Sequence, residues 1–143
     1  MPLLRRLWFI TVLIVLLVAC NAPGAASTPQ APAAAGVDAL LQVIAPAGTT
    51  GFSLSDLQKL PATTITVDGK PQDGPALLDV LQAAQVTDFK EVTLSGSGSV
   101  TLARDQVTRE VILDFTNRGT VKFAAMNVPK ENWPKDITTI EVK

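Results

Sequence analysis

The stretch Val111-Ile112-Leu113-Asp114-Phe115-Thr116-Asn117-Arg118-Gly119-Thr120-Val121-Lys122-Phe123-Ala124-Ala125 decides how this chain is read. Val111 to Phe115 is apolar on both faces, the pattern of a strand covered on two sides. Asn117-Arg118-Gly119 supplies a three-residue hairpin loop, because Gly119 is free to take positive φ. Val121, Phe123 and Ala125 resume the alternation of a returning strand. Outward from this hairpin the pattern stays β. Val92 and Leu94 alternate with polar neighbours, Gly96 and Gly98 make a turn, and Val100 and Leu102 continue on the far side. Ala103 to Val107 reads as one helical turn. Asn127 to Lys135 is an irregular loop around Trp133, and Ile137 to Val142 closes the domain as a strand.

The half before Glu91 mixes strands and helices. Leu40 to Ile44 reads as a strand ended by Pro46 and Gly48. Phe52 to Leu57 opens a short helix. Ser53 is its N-cap, Asp56 sits three residues on as in a capping box, and Pro61 is the stop. Thr63 to Val67 is β-branched throughout, and Asp68-Gly69 is a turn. Gly74-Pro75 is expected to begin the clearest amphipathic helix, with Leu77, Leu78, Leu81 and Ala84 inward and Asp79, Gln82 and Gln85 outward. The expected class is α+β: a mixed, partly barrel-like β-sheet with two short helices.

The N-terminus carries a different message. Arg5 and Arg6 precede an apolar run from Leu7 to Val18, and Leu17-Val18-Ala19-Cys20 follows. A basic segment, about a dozen apolar residues and small residues at the cleavage point describe a signal peptide. The run is short of the roughly 20 residues of a bilayer-spanning helix. Leu, then Ala, then the only cysteine of the chain resemble a bacterial lipoprotein box, so residues 1–19 are expected to be a lipoprotein signal peptide and Cys20 a lipidated first residue. The location this implies is the bacterial cell envelope, on a membrane anchor facing outside the cytoplasm. Residues 20–36 are the modified Cys20 and a tether made of Ala, Pro, Gly, Ser, Thr, Gln and Asn, without charge or apolar periodicity. As a flexible coil it would reach about 20–24 Å. Residues 37–143 form the one folded domain.

Loss of Arg5 and Arg6 takes the formal charge from −1 to −3. A mildly acidic body offers no electrostatic footprint for nucleic acid. With no histidine and no second cysteine, Ser-His and Cys-His nucleophile pairs are impossible, as are zinc sites built on those ligands. Gly96-Ser97-Gly98 has Thr101 where a phosphate loop of G-x-G-x-x-G type needs its last glycine.

Four segments together resemble the molybdopterin-binding oxidoreductase domain of the sulfite oxidase superfamily over about residues 50–143. Phe52-Ser53-Leu54-Ser55-Asp56-Leu57-Gln58-Lys59-Leu60-Pro61, followed by a Thr-rich strand, resembles the family's opening. Gly74-Pro75-Ala76-Leu77-Leu78-Asp79-Val80-Leu81 with Ala84-Gln85-Val86 is similar to its G-x-x-L-x-x-L-L-x-x-A-G-V helix. Ile112 to Gly119 sits where the family has a strand ending in Asn-Gly, and Trp133 to Val142 resembles its W-V-K-x-I-x-x-I-E-V ending. The resemblance implies a sulfite-oxidase-like domain and a molybdopterin cofactor. The departures argue against the family's chemistry. The metal-ligating thiolate is missing from the domain, and Gly119 to Phe123 runs straight on where the family inserts its cofactor loop.

No catalytic residue and no metal ligand is therefore carried over. Arg118, Lys122, Trp133 and Asp114 are the candidate ligand-binding residues. Asp114 lies inside an apolar strand, so it either marks a site or pairs with a backbone donor or with Arg104, Arg109 or Arg118. Trp133 is either an exposed anchor or a lid over one end of the core. Three functions stand open. The first is a non-catalytic binding or accessory domain on a lipid anchor, with an extracytoplasmic protein or small molecule as partner. The second is a molybdopterin-dependent protein with atypical metal ligation. The third is a receptor for a small solute held near Arg118 and Trp133.

Overall fold

The computed structural model describes residues 38–143; the leader, Cys20 and the tether lie outside the described residues. Leu41–Ala45 (β1) turns back through Gly48–Phe52 (β2), whose residues pair from Leu41↔Phe52 to Ala45↔Gly48. The glycine at position 48 was expected only to end a strand; it also begins the next. Leu54–Gln58 is a five-residue helix (α1). Its start is the capping box the sequence shows: Ser53 Oγ accepts from the Asp56 backbone N–H (3.3 Å), and Asp56 Oδ2 accepts from the Ser53 backbone N–H (3.1 Å).

Those bonds act on acidity as well. Hydrogen bonds from the Ser53 hydroxyl and then its backbone N–H hold the Asp56 carboxyl below its usual range, with Lys59 adding to the effect. A lowered value in the folded state means the carboxylate's contribution is complete above the unfolded-chain value and fades as pH falls through the folded one. Ser53→Ala is expected to move the Asp56 titration upward toward the ordinary aspartate value near about 4, read by carboxyl carbon-13 shifts. An unchanged titration would show that the cap does not set it.

Ala62–Val67 (β3) and Lys70–Pro75 (β4) form a ribbon through Asp68 (φ 53) and Gly69 (φ 72), the left-handed pair that a two-residue hairpin turn requires. Here the sequence reading is corrected. Gly74 and Pro75 end a strand and do not begin a helix. Pro71 and Pro75 are four residues apart, so both oppose β3 at positions of one parity. In a two-residue hairpin the pair flanking the turn, Val67↔Lys70, is hydrogen-bonded, and the parity of the prolines is then the non-bonded one. Their missing N–H groups cost the ladder nothing. The second helix, Leu77–Ala83 (α2), starts from Ala76 and buries Leu77, Val80 and Leu81. It ends when Gln85 takes φ 61, with the Val86 N–H on the Leu81 carbonyl (2.8 Å) and the Gln85 N–H on the Gln82 carbonyl (2.9 Å), a Schellman closure.

Glu91–Ala103 (β5) is one run of extended residues that doubles back on itself. Thr93 and Thr101 would be up to about 26–29 Å apart on a straight chain. Their hydroxyls are 3.0 Å apart, and the Arg104 N–H reaches the Lys90 carbonyl at 2.9 Å. The fold-back falls at Gly96 to Gly98, as the glycines lead one to expect. Gly96 lies at a register shift against Lys135–Val142 (β8), where a Cβ would stand 2.5 Å from the Lys135 carbonyl oxygen. A short 3-10 turn, Arg104–Gln106, follows. Val111–Phe115 (β6) and Val121–Ala125 (β7) then form the expected hairpin, with Gly119 at φ 74.

The class is nevertheless not the α+β, partly barrel-like arrangement that the sequence suggests. The domain is β-rich, and its sheets are open. The largest has the order β2-β1-β8-β5, and β3-β4 and β6-β7 are separate two-stranded ribbons. Single backbone links join them: a bridge from Ala76 to Ile112, and the Phe123 N–H on the Pro134 carbonyl (3.1 Å). Neither helix is long enough to form a layer of its own. The core includes Leu41, Leu57, Leu81, Ile112, Phe123 and Ile140, all fully buried. Each contributes roughly 1.5–3 kcal/mol of burial.

Candidate functional site

Asp114 and Lys122 are cross-strand partners on β6 and β7. Lys122 Nζ lies 2.9 Å from Asp114 Oδ2 and donates to Gln72 Oε1 at 2.9 Å. The backbone N–H of Asp73 donates to Asp114 Oδ1 at 3.2 Å. That N–H points away from β3, at a non-bonded position of the β3–β4 ladder, and so is free to reach β6. The arginine partners considered for Asp114 are not used. Its cation is Lys122, and the network ties β4 to the β6–β7 ribbon. With one partner on each oxygen, Asp114 is a structural carboxylate.

Arg118 is elsewhere. At the tip of the β6–β7 hairpin its Nη2 contacts both oxygens of Asp136 at 2.9 and 3.0 Å. Thr120 Oγ1 donates to the same carboxylate at 2.7 Å and shares a 2.7 Å hydroxyl contact with Thr116. Asp136 takes φ 49, a left-handed conformation that aspartate tolerates better than most residues. Trp133 is only 8% exposed. It packs edge-on to Phe123, with centroids 6.4 Å apart, and donates its indole N–H to the Val128 carbonyl at 2.9 Å. It is the lid of the core. Trp133 borders a depression that Arg118 does not line.

Surface depressions of about 320 to 620 Å³ occur at four places among the described residues, and two of them gather polar or charged side chains from separate parts of the chain. The larger, about 620 Å³, lies between the returning arm of β5 and the Asn127–Pro134 segment. Ser97, Ser99, Thr101, Gln106, Asn127 and Asn132 supply polar groups to its walls. The walls are held before any ligand arrives: Asn127 Nδ2 donates to the Gln106 carbonyl (3.1 Å), and the Trp133 indole pins the loop from beneath. The smaller, about 320 Å³, lies beside α2 and contains Arg104 and Arg109. Arg104 stacks over the Phe89 ring, its guanidinium carbon 4.7 Å from the centroid. Arg109 Nη1 is 3.4 Å from Asp79 Oδ2.

Sequence reasoning named Arg104 and Arg109 but missed Asp79 and Phe89. Asp79 was assigned to the outward face of α2, yet its side chain is only 10% exposed beneath Arg109. Leu78 and Asp79, set on opposite faces by the helical period, both line this groove. Nothing in the period says that the segment after Arg104 returns to cover that face.

No protein-family model matches the chain, and no curated protein matches it either. Residues 38–143 contain neither cysteine nor histidine, and no three acidic side chains among the described residues gather as metal ligands. These residues do not fit a molybdenum-pterin centre held through a thiolate. No helix among the described residues is long and apolar enough to cross a membrane.

Proposed function

We propose that this chain is an envelope lipoprotein that presents a non-catalytic binding domain outside the cytoplasmic membrane. One observation carries the reading: Arg5-Arg6, the apolar Leu7 to Val18 and Leu17-Val18-Ala19-Cys20 stand in the order of a lipoprotein leader, ahead of an uncharged tether and a folded domain. Acyl chains on Cys20 contribute roughly 0.8 kcal/mol per buried CH₂, and more than one chain makes the attachment stable. Binding is favoured over turnover because the domain offers pre-shaped polar depressions without a thiol or imidazole. Walls already in place lose less freedom of their own when a ligand binds.

The test is the intact mass of the chain purified from the membranes of a bacterial host that processes lipoproteins. The expected product begins at Cys20 and carries acyl chains. Cys20→Ala is expected to abolish acylation and leave the leader attached. An unmodified Cys20 in the wild-type product overturns the reading.

A further inference from the structure

We propose that the groove holding Arg104 and Arg109 is a binding site for a small amphiphilic carboxylate. Three separate parts of the chain build it: α2 with Leu78, Asp79 and Gln82, the segment through Thr87 and Phe89, and the run from Arg104 to Arg109. At about 320 Å³ it lies at the small end of ligand pockets, which run from roughly 300 to 1,000 Å³.

The two arginines are arranged differently. Arg104 lays its guanidinium face on Phe89, which orients the group through cation–π attraction. Stacking occupies the face and leaves the in-plane N–H fork free, the part that grips a carboxylate with two parallel bonds. Among the described residues no carboxylate pairs with Arg104. Arg109 touches Asp79 through one nitrogen at 3.4 Å and keeps 69% of its side chain exposed, so most of its donors remain open. Two guanidinium charges and one carboxylate leave a single positive charge, which fits a monoanion. Leu78, Leu81 and Phe89 supply apolar lining for a short hydrocarbon part. Asp79 is the built-in competitor: it holds Arg109 in place and opposes the ligand's charge.

The inference extends the binding role proposed above. It is read at the groove and the anchor is read at Cys20, so either can fail alone. The probe is phenylacetate, titrated into the full chain in detergent micelles while the Arg104 and Arg109 Nε–H resonances are followed by NMR. Expected are saturable shifts with Kd of about 1 mM or tighter, and at least about tenfold weaker binding of 2-phenylethanol, which has the same shape without the charge. Arg104→Lys keeps the charge and loses the fork, and is expected to weaken binding about 5- to 10-fold. Asp79→Asn removes the competing charge and is expected to tighten it several-fold. Failure to saturate, equal binding of the alcohol, or an unchanged Arg104→Lys variant overturns the proposal. So does Arg104-dependent binding to phosphatidylglycerol vesicles without phenylacetate saturation, which would reassign the groove to a lipid headgroup.

Discussion

Gly74→Ala is expected to cost the domain at least about 4 kcal/mol of stability, enough to unfold it at the low end of the usual range. A Cβ at this position would be driven into the backbone carbonyl oxygen of Leu113, with its carbonyl carbon 2.8 Å and the Asp114 Cα 3.2 Å away. These are main-chain atoms of β6, a strand buried at four of its five positions, so no flexible side chain can move aside. Relief requires the β3–β4 ribbon to draw away from β6. That movement breaks the Ala76–Ile112 bridge and the Asp73–Asp114 hydrogen bond together. Overpacking a close-packed interior costs about 1–3 kcal/mol where side chains can adjust, and more where backbone must shift. The stability of a domain this size is about 5–15 kcal/mol. Urea unfolding of the variant should show at least about 4 kcal/mol lost, or no cooperative transition at all. A Gly74→Ala unfolding free energy within about 1 kcal/mol of wild type would mean that the two ribbons are not in contact as described.

The second large effect is expected at Asp114. Removing this carboxylate strands a half-buried ammonium and a backbone N–H at once, since Lys122 Nζ and the Asp73 N–H both rely on it. Breaking a buried pair from one side costs about 3–5 kcal/mol. Lys122 keeps about a third of its side chain in solvent and retains Gln72 as an acceptor, which reduces the loss to about 2–3 kcal/mol for Asp114→Ala. Asp114→Asn retains an acceptor for Asp73 and should lose about half as much. Pairing Asp114→Leu with Lys122→Met removes both charges and is expected to recover most of the stability. Denaturant midpoints of the three variants form the check. Three equal losses would show that charge plays no part there.

Several elements are legible because their determinants are local. The capping box at Ser53 and Asp56 needs three residues of spacing, the Asp68-Gly69 turn needs two residues at positive φ, and the β6–β7 hairpin needs an apolar run, Gly119 and a second run. The fold-back of β5 at Gly96 to Gly98 belongs with them. What failed had its determinant elsewhere. Lys70–Pro75 has two prolines and no apolar alternation, and only its pairing with β3 makes it a strand. Gly48–Phe52 is a strand because β1 pairs with it. The class itself changed for the same reason, since helices of five and seven residues contribute caps and a corner of core but no layer.

The candidate residues divide in the same way. That Asp114 needs a partner follows from a charged side chain in an apolar strand. That the partner is Lys122 follows from the register of a hairpin. Arg118 and Trp133, paired in the sequence reading, are engaged separately by Asp136 and by Phe123 with the Val128 carbonyl. The residue content alone determined which reagents this domain lacks, and the first twenty residues alone carry the lipoprotein-box pattern, because both depend on composition and on short contiguous runs. Tertiary structure decided that Arg104 meets Phe89 and that Arg109, thirty residues along the chain, lies over Asp79. Such contacts are set by how the ribbons pack, and a periodicity read along the chain carries no information about the element that will arrive across from it.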